Sequence, residues 1–159
     1  MASITVISVG TLKENYLKDA VSEYMKRISQ YAKLEEISLK EEKISNEDDR
    51  TEIQRALEAE GKKIISAIPK GAAKIALCVE GKQYDSVELA KNLGKMLDEC
   101  GKIALIIGSS HGLSESVKRE CDLRLSVSAL TFPHQLMRVI LLESLYRSFT
   151  ILAGKKYHK

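Results

Sequence analysis

Ile103-Ala104-Leu105-Ile106-Ile107 runs directly into Gly108-Ser109-Ser110-His111-Gly112, an apolar segment of strand length halted by a polar loop bracketed by glycines. Such a run reads as a strand ended by its loop. The same pattern recurs outward from it. Upstream, Lys74 to Val79 reads as a nearly continuous apolar strand ended by Glu80-Gly81-Lys82, and a helix follows from Ser86 to about Glu99, capped by Asp85 or Ser86. Ile4 to Val9 is β-branched and stops at Gly10. Glu14 to Tyr31 carries Leu17, Val21, Tyr24 and Ile28 at helical spacing, and Leu34 to Leu39 reads as a short strand. Downstream, Leu123 to Val127 is a fifth strand, and Pro133 opens a long helix to about Leu152, in the first turn where its missing N–H is harmless. Alternating strands and helices predict an α/β fold with a largely parallel sheet flanked by helices. No linker, repeat or low-complexity segment interrupts it, so residues 1–159 read as one domain.

The chain has 159 residues, 44% of them apolar, enough to bury a core without metal or disulfides. Its net charge of +3 permits an RNA partner without demanding one. Cys78, Cys100 and Cys121 are odd in number and share no metal-ligand spacing, which points to reduced thiols and no metal. Met1 to Gly10 lacks a secretory signal, and no apolar run reaches membrane-spanning length, so a cytoplasmic protein with no membrane association is expected. Glu41 to Arg50 is the most charged stretch and reads as a solvated helix face. The acids between Ser45 and Asp49 suit a helix N-terminus, and Ile53, Leu57, Ile64, Ile65 and Ile68 form one apolar stripe beyond it.

In an open parallel sheet, ligands bind beyond the carboxyl ends of the strands. Three loops qualify: Glu80 to Tyr84, Gly108 to Gly112, and Ser126 to His134. Gly81, Gly108 and Gly112 would let backbone approach a ligand, or would simply make turns. The Gly108 loop has neither the Walker lysine nor the dinucleotide glycine spacing, which argues against a nucleoside triphosphate or NAD. Backbone groups of Ser126 to Phe132 could read an adenine edge. His134 and Arg138, four residues apart, share a helix face that is either functional or merely a solvated stripe. The ending Gly154-Lys155-Lys156-Tyr157-His158-Lys159 pairs basic groups with an aromatic, which suits RNA, although tails are usually disordered.

Taken together, Gly81-Lys82, the Ile107–Leu113 loop, the block Leu130-Thr131-Phe132-Pro133-His134-Gln135-Leu136-Met137-Arg138 and the ending Tyr157-His158-Lys159 resemble the RlmH family of the SPOUT methyltransferase superfamily, along the whole chain. The family often has glycine where Ser109 stands and asparagine or an acid near His111. The resemblance implies a deep C-terminal trefoil knot, in which the segment after Gly108 threads under the Ser126–Phe132 loop. It implies a metal-independent transfer of a methyl group from S-adenosylmethionine to N3 of a pseudouridine in large-subunit ribosomal RNA, with assembled ribosomes as the expected target. Expected cofactor contacts are Leu77, Gly81, Gly108, Val127, Ser128, Ala129, Leu130, Thr131 and Phe132. His134, Arg138, Tyr157 and His158 are the catalytic candidates, and Lys155, Lys156 and Lys159 the RNA contacts. A homodimer joined through the C-terminal helix is also implied, in keeping with Val139 to Leu142 being apolar nearly all round. Two chemistries remain open for the weakly acidic N3–H: a general base (His134 or His158), or stabilisation of the anion by Arg138, His158 or Lys159. The loops are read as offering no carboxylate base, which favours the second.

Overall fold

The computed structural model describes residues 1–159. Five strands form one sheet in the order β2-β1-β4-β3-β5, every neighbouring pair parallel. In chain order the elements are β1 (Ala2–Val9), α1 (Asn15–Ile28), β2 (Ala32–Leu39), α2 (Arg50–Ala67), β3 (Ala73–Lys82), α3 (Ser86–Cys100), β4 (Lys102–Ile107), α4 (Glu115–Glu120), β5 (Leu123–Leu125) and α5 (His134–Leu152). The apolar run Ile103–Ile107 lies in β4, the central strand. Its odd-numbered residues Ile103, Leu105 and Ile107 meet Ile4, Val6 and Ile75 in a core shared with Val21, Leu93, Leu141 and Leu145 of α1, α3 and α5. Its even residues Ala104 and Ile106 join Ile7, Val9 and Ala76 under Ile64 of α2 and Val117 of α4. Burial on both faces accounts for the absence of alternation in its sequence.

Local chemistry sets the element ends. Asp85 and Glu88 form a reciprocal capping box at the start of α3, and Gly101 closes that helix in the left-handed region. Asp49 accepts from the amides of Thr51 and Glu52, so α2 begins at Arg50. The charged stretch Glu41 to Asp49 is therefore not the helix face expected of it but an irregular loop, whose amides are bound by carboxylates of α2. Glu52 accepts from Ser45 and Asn46, and Glu60 accepts from Glu42. Nor does β3 stop at Glu80. It shifts register against β5 between Leu77 and Lys82, and Lys82 O then accepts the Ser126 amide. Gly81 makes that possible, because a Cβ there would lie 2.7 Å from the Arg124 carbonyl. β5 is correspondingly short, ending at Leu125 rather than Val127.

Helix α5 packs between α1 and α3, which explains why it is apolar on more than one side. Leu141 and Leu142 are inside the protomer core, at 2% and 0% exposure, while Val139 and Ile140 are half-buried. Val139 still packs against that core, which leaves Ile140 as the residue of the Val139–Leu142 run outside it. Leu142→Ala should cost the fold itself about 2–5 kcal/mol, as cavity-forming core truncations do. Denaturant unfolding would show this, and unchanged stability with only the oligomer lost would contradict the placement.

Candidate cofactor cleft

The carboxyl ends of β3, β4 and β5 open into a cleft of about 700 Å³, within the ~300–1,000 Å³ usual for small-molecule sites. Of the residues singled out from sequence, Leu77, Gly108, Val127, Ser128, Leu130, Thr131, Phe132 and His134 line it. Gly81 and Ala129 do not. Gly81 is taken up by the β3–β5 contact, and Ala129 is exposed to solvent.

The Gly108–Gly112 loop forms one wall. Ser109 and Gly112 pair across it, with the Gly112 amide donating to Ser109 O at 2.9 Å and Gly112 at φ +86°. A Cβ on Gly108 would sit 2.2 Å from the Gly112 carbonyl oxygen. The role of Gly108 is therefore to let the loop fold on itself, before any ligand is considered. Ser109 is 6% exposed, its hydroxyl accepts the His111 amide at 3.4 Å, and it lies close enough to the Glu60 carboxylate to act on its titration. Burial lifts the Glu60 carboxyl above the ordinary range, opposed by the Glu42 amide and the Ser109 hydroxyl. At the rim, His111 Nε2 meets Glu47 of the charged loop at 2.9 Å.

A carboxylate does line the cleft, contrary to the expectation that the loops hold none. Glu80 Oε1 lies 2.5 Å from Lys118 Nζ of α4. The Lys118 ammonium holds the Glu80 carboxyl below its usual range, so Glu80 is an anion engaged by its partner rather than a free base. Cys78 also faces the cleft, and its thiol is pushed up, first by burial and then by Glu80. No group of three or more His, Cys, Asp or Glu side chains is arranged to hold a metal ion. Nor is any helix long and apolar enough to cross a membrane.

The opposite wall is the segment from Ser126 to Pro133. Ser126 N donates to Lys82 O, Ser126 Oγ to Ser128 O, and Leu130 N to Ser128 Oγ. These local bonds fix the segment while leaving the amides of Val127, Thr131 and Phe132 outside the chain's own ladder. His134 begins α5 at the mouth of the cleft. Arg138 shares its helical face, but neither contacts the cleft nor forms a solvated stripe. It is 4% exposed, donates to Gly10 O and approaches Ser38 Oγ at 3.5 Å. Its guanidinium thus ties α5 to the end of β1.

The tail is ordered. Gly154, at φ +68°, reverses the chain, and Lys155 N donates to Thr150 O. Tyr157 OH donates to Glu143 at 3.2 Å, and its ring packs edge-on against Tyr146. His158 Nδ1 lies 3.3 Å from Arg147 Nη1. Within one protomer, Tyr157 and His158 are thus held on α5 and do not line the cleft with His134. Their anchors Glu143 and Arg147 line a smaller hollow of about 130 Å³ that shares Leu125, Ser126 and Val127 with it. Lys155, Lys156 and Lys159 are exposed.

Sequence reasoning missed Glu60, Glu80, Lys118 and Cys78. Glu60 has a visible signal, since it falls between Leu57 and Ile64 on the apolar stripe of α2, where a lone acid must find partners, and Glu80 heads one of the three candidate loops.

A family model described as predicted SPOUT methyltransferase matches residues 2–158. The chain belongs to the SPOUT methyltransferase family. It is 47% identical over 159 residues to a putative ribosomal RNA large subunit methyltransferase H of Methanococcus maripaludis strain C5, with 99% of each chain covered. It is 46% identical over 157 residues to the ribosomal RNA large subunit methyltransferase H of Streptococcus pneumoniae strain CGSP14, covering 98% of this chain and 99% of that one.

Two outcomes follow from the loop geometry. Gly108→Ala should weaken S-adenosylmethionine binding at least about tenfold (~1.4 kcal/mol), because its methyl displaces the Gly112 carbonyl. Calorimetric affinity equal to the unsubstituted protein would refute this. For Glu60 the folded carboxyl is raised, so its protonated form favours the fold, and that contribution is lost as pH rises through the folded value. Glu60→Gln keeps an acceptor for the Glu42 amide and removes the titration. Denaturant midpoints across pH should then fall less from the ordinary carboxylate range upward than in the unsubstituted chain, and identical slopes would exclude Glu60 as a contributor.

Proposed function

We propose that the chain acts as one domain that methylates large-subunit ribosomal RNA, at N3 of a pseudouridine, with S-adenosylmethionine as donor. The observation that carries this reading is the cleft beyond β3, β4 and β5, walled by the Val127–Phe132 segment, in a SPOUT chain nearly half identical along its whole length to proteins named as ribosomal RNA large subunit methyltransferases H. The residues present fit the donor. Leu77, Val127, Leu130 and Phe132 offer apolar walls for an adenine ring, and the free amides of the Val127–Phe132 segment suit its polar edge. The tight turn at Gly108 leaves room for a methionine moiety. The trefoil knot that the family implies is part of this reading.

Bound S-adenosylmethionine supplies an electrophilic methyl on a sulfonium centre. The chain's own task is to orient the base and stabilise negative charge at its imide. His134 stands at the mouth for contact with the substrate, and Arg138 acts as a positioning residue that fixes α5 through Gly10. Lys155, Lys156 and Lys159 supply phosphate contacts, consistent with an isoelectric point near 8.7. Tyr157 and His158 complete the site. Because each tail is held on its own α5, away from its own cleft, the reading is a homodimer in which the α5 face bearing Ile140 is shared and each tail serves the other copy. Assembled ribosomes are the intended target, since so small a protein carries little surface for recognising free RNA.

Deleting Tyr157 to Lys159 tests the tail's role. Cofactor affinity should stay within about twofold, while the single-turnover methylation rate on saturating ribosomes falls by roughly 10²–10³, the effect of losing an oxyanion-type donor. A near-normal rate at saturation would remove the tail from catalysis. Weaker ribosome binding with a rescued rate would reduce it to an anchor.

A further inference from the structure

The proposed function leaves open whether the tail histidine removes a proton or donates a hydrogen bond. The contacts of Arg147 bear on that choice. Arg147 Nε and Nη2 both donate to Glu143 Oε1, at 3.1 and 2.5 Å, and this fixes the plane of the guanidinium. The remaining terminal nitrogen, Nη1, is 3.3 Å from His158 Nδ1, and the cation also covers the Tyr157 ring at 4.8 Å. A guanidinium carries only donors and does not deprotonate in proteins. The nitrogen facing it must therefore present a lone pair, which places the ring proton on the other nitrogen.

We infer that Arg147 is a positioning residue that holds His158 as the neutral Nε2–H tautomer, so that His158 serves the methylation as a hydrogen-bond donor to the imide carbonyl oxygen of the target base rather than as the group that takes its N3 proton. This rests on the function proposed above. The N3 proton then goes to water ahead of methyl transfer, and the electron pair left on nitrogen forms the new N–C bond as the methyl–sulfur bond breaks. Charge spread onto the neighbouring carbonyl oxygen meets the Nε2–H. Tyr157 is excluded as base on separate grounds: its hydroxyl already donates to Glu143, and burial together with that carboxylate pushes the phenol up to about 12. The Arg147–Glu143 pair thus presents both tail side chains in their protonated, donating forms. Its own charges largely cancel, so it orients the tail without acting as a second cation.

The test uses the full-length protein with histidine rings labelled with nitrogen-15. Three histidines are present, and the His158 signal is assigned as the one missing from His158→Gln. At neutral pH the ring should show the Nε2–H pattern. In Arg147→Met it should become a mixture of tautomers, and in Arg147→Lys, which keeps a pure donor, it should be largely restored. Single-turnover methylation on saturating ribosomes should fall about 10–100-fold in Arg147→Met, the range for losing an outer-shell orienting group, with partial rescue by Arg147→Lys. His158→Gln, which retains an N–H near the same place, should lose less of the rate than His158→Ala, and equal losses would overturn the donor role. The unsubstituted rate should climb with pH without levelling off above the ordinary imidazole value of ~6.5. An Nδ1–H tautomer, a plateau above that pH, or an Arg147→Met rate equal to the unsubstituted one would each overturn the inference. Failure of the wider functional reading looks different: the unsubstituted protein would then transfer no methyl group to ribosomes while the tautomer signature persisted.

Discussion

Where β3 and β4 end, the backbone leaves no room for one more carbon. At Gly108 the obstacle is the Gly112 carbonyl, and at Gly81 it is the Arg124–Leu125 backbone. Both contacts set main chain against main chain, so no change of rotamer relieves them, and glycine is the residue that can occupy either place. Much of the site depends on this constraint. The Gly81 contact lets β3 slip register and run on to Lys82, which captures the Ser126 amide and launches the second wall of the cleft. The Gly108 contact curls the first wall back on itself and buries Ser109 above α2.

That burial joins the cleft to a part of the molecule remote in sequence. Glu60 of α2 accepts the Glu42 amide and lies near Ser109, while Glu47 of the same charged loop holds His111 at the rim. The loop after β2 therefore meets the glycine loop directly at His111 and is tied to α2 beneath it through Glu60. On the far side of the sheet, Arg138 does similar work between α5 and Gly10. The cleft is clamped from both layers of helices, as a site that must hold its ligand to within a fraction of an ångström requires.

The strands and the three loops are legible because apolar runs and glycines are local signals. The burial of Arg138 is something no periodicity can reveal. The residues it buries against, Gly10 and Ser38, lie at the ends of strands more than 90 positions away in sequence. The charged loop was taken for a helix face because its carboxylates look solvated in sequence, whereas its amides are bound by acids of α2. Glu80 was passed over as a strand terminator because its partner, Lys118, is 38 residues on. The C-terminal residues read as an RNA-binding tail from composition, but their docking depends on Glu143 and Arg147 falling one turn apart on α5, a spacing visible only once the tail is known to fold back.

Cys78 lines the cleft, half a strand away from the glycine loop. A thiolate there would be the strongest nucleophile available to a sulfonium methyl group, stronger than an imide nitrogen in RNA. Burial and the neighbouring Glu80 anion both push the thiol up, keeping sulfur in its protonated, poorly nucleophilic form. Glu80, while bound to Lys118, thus acts in the same direction as burial on the thiol beside it. Any electrophile held in the cleft would meet a neutral, weakly nucleophilic sulfur there rather than a thiolate.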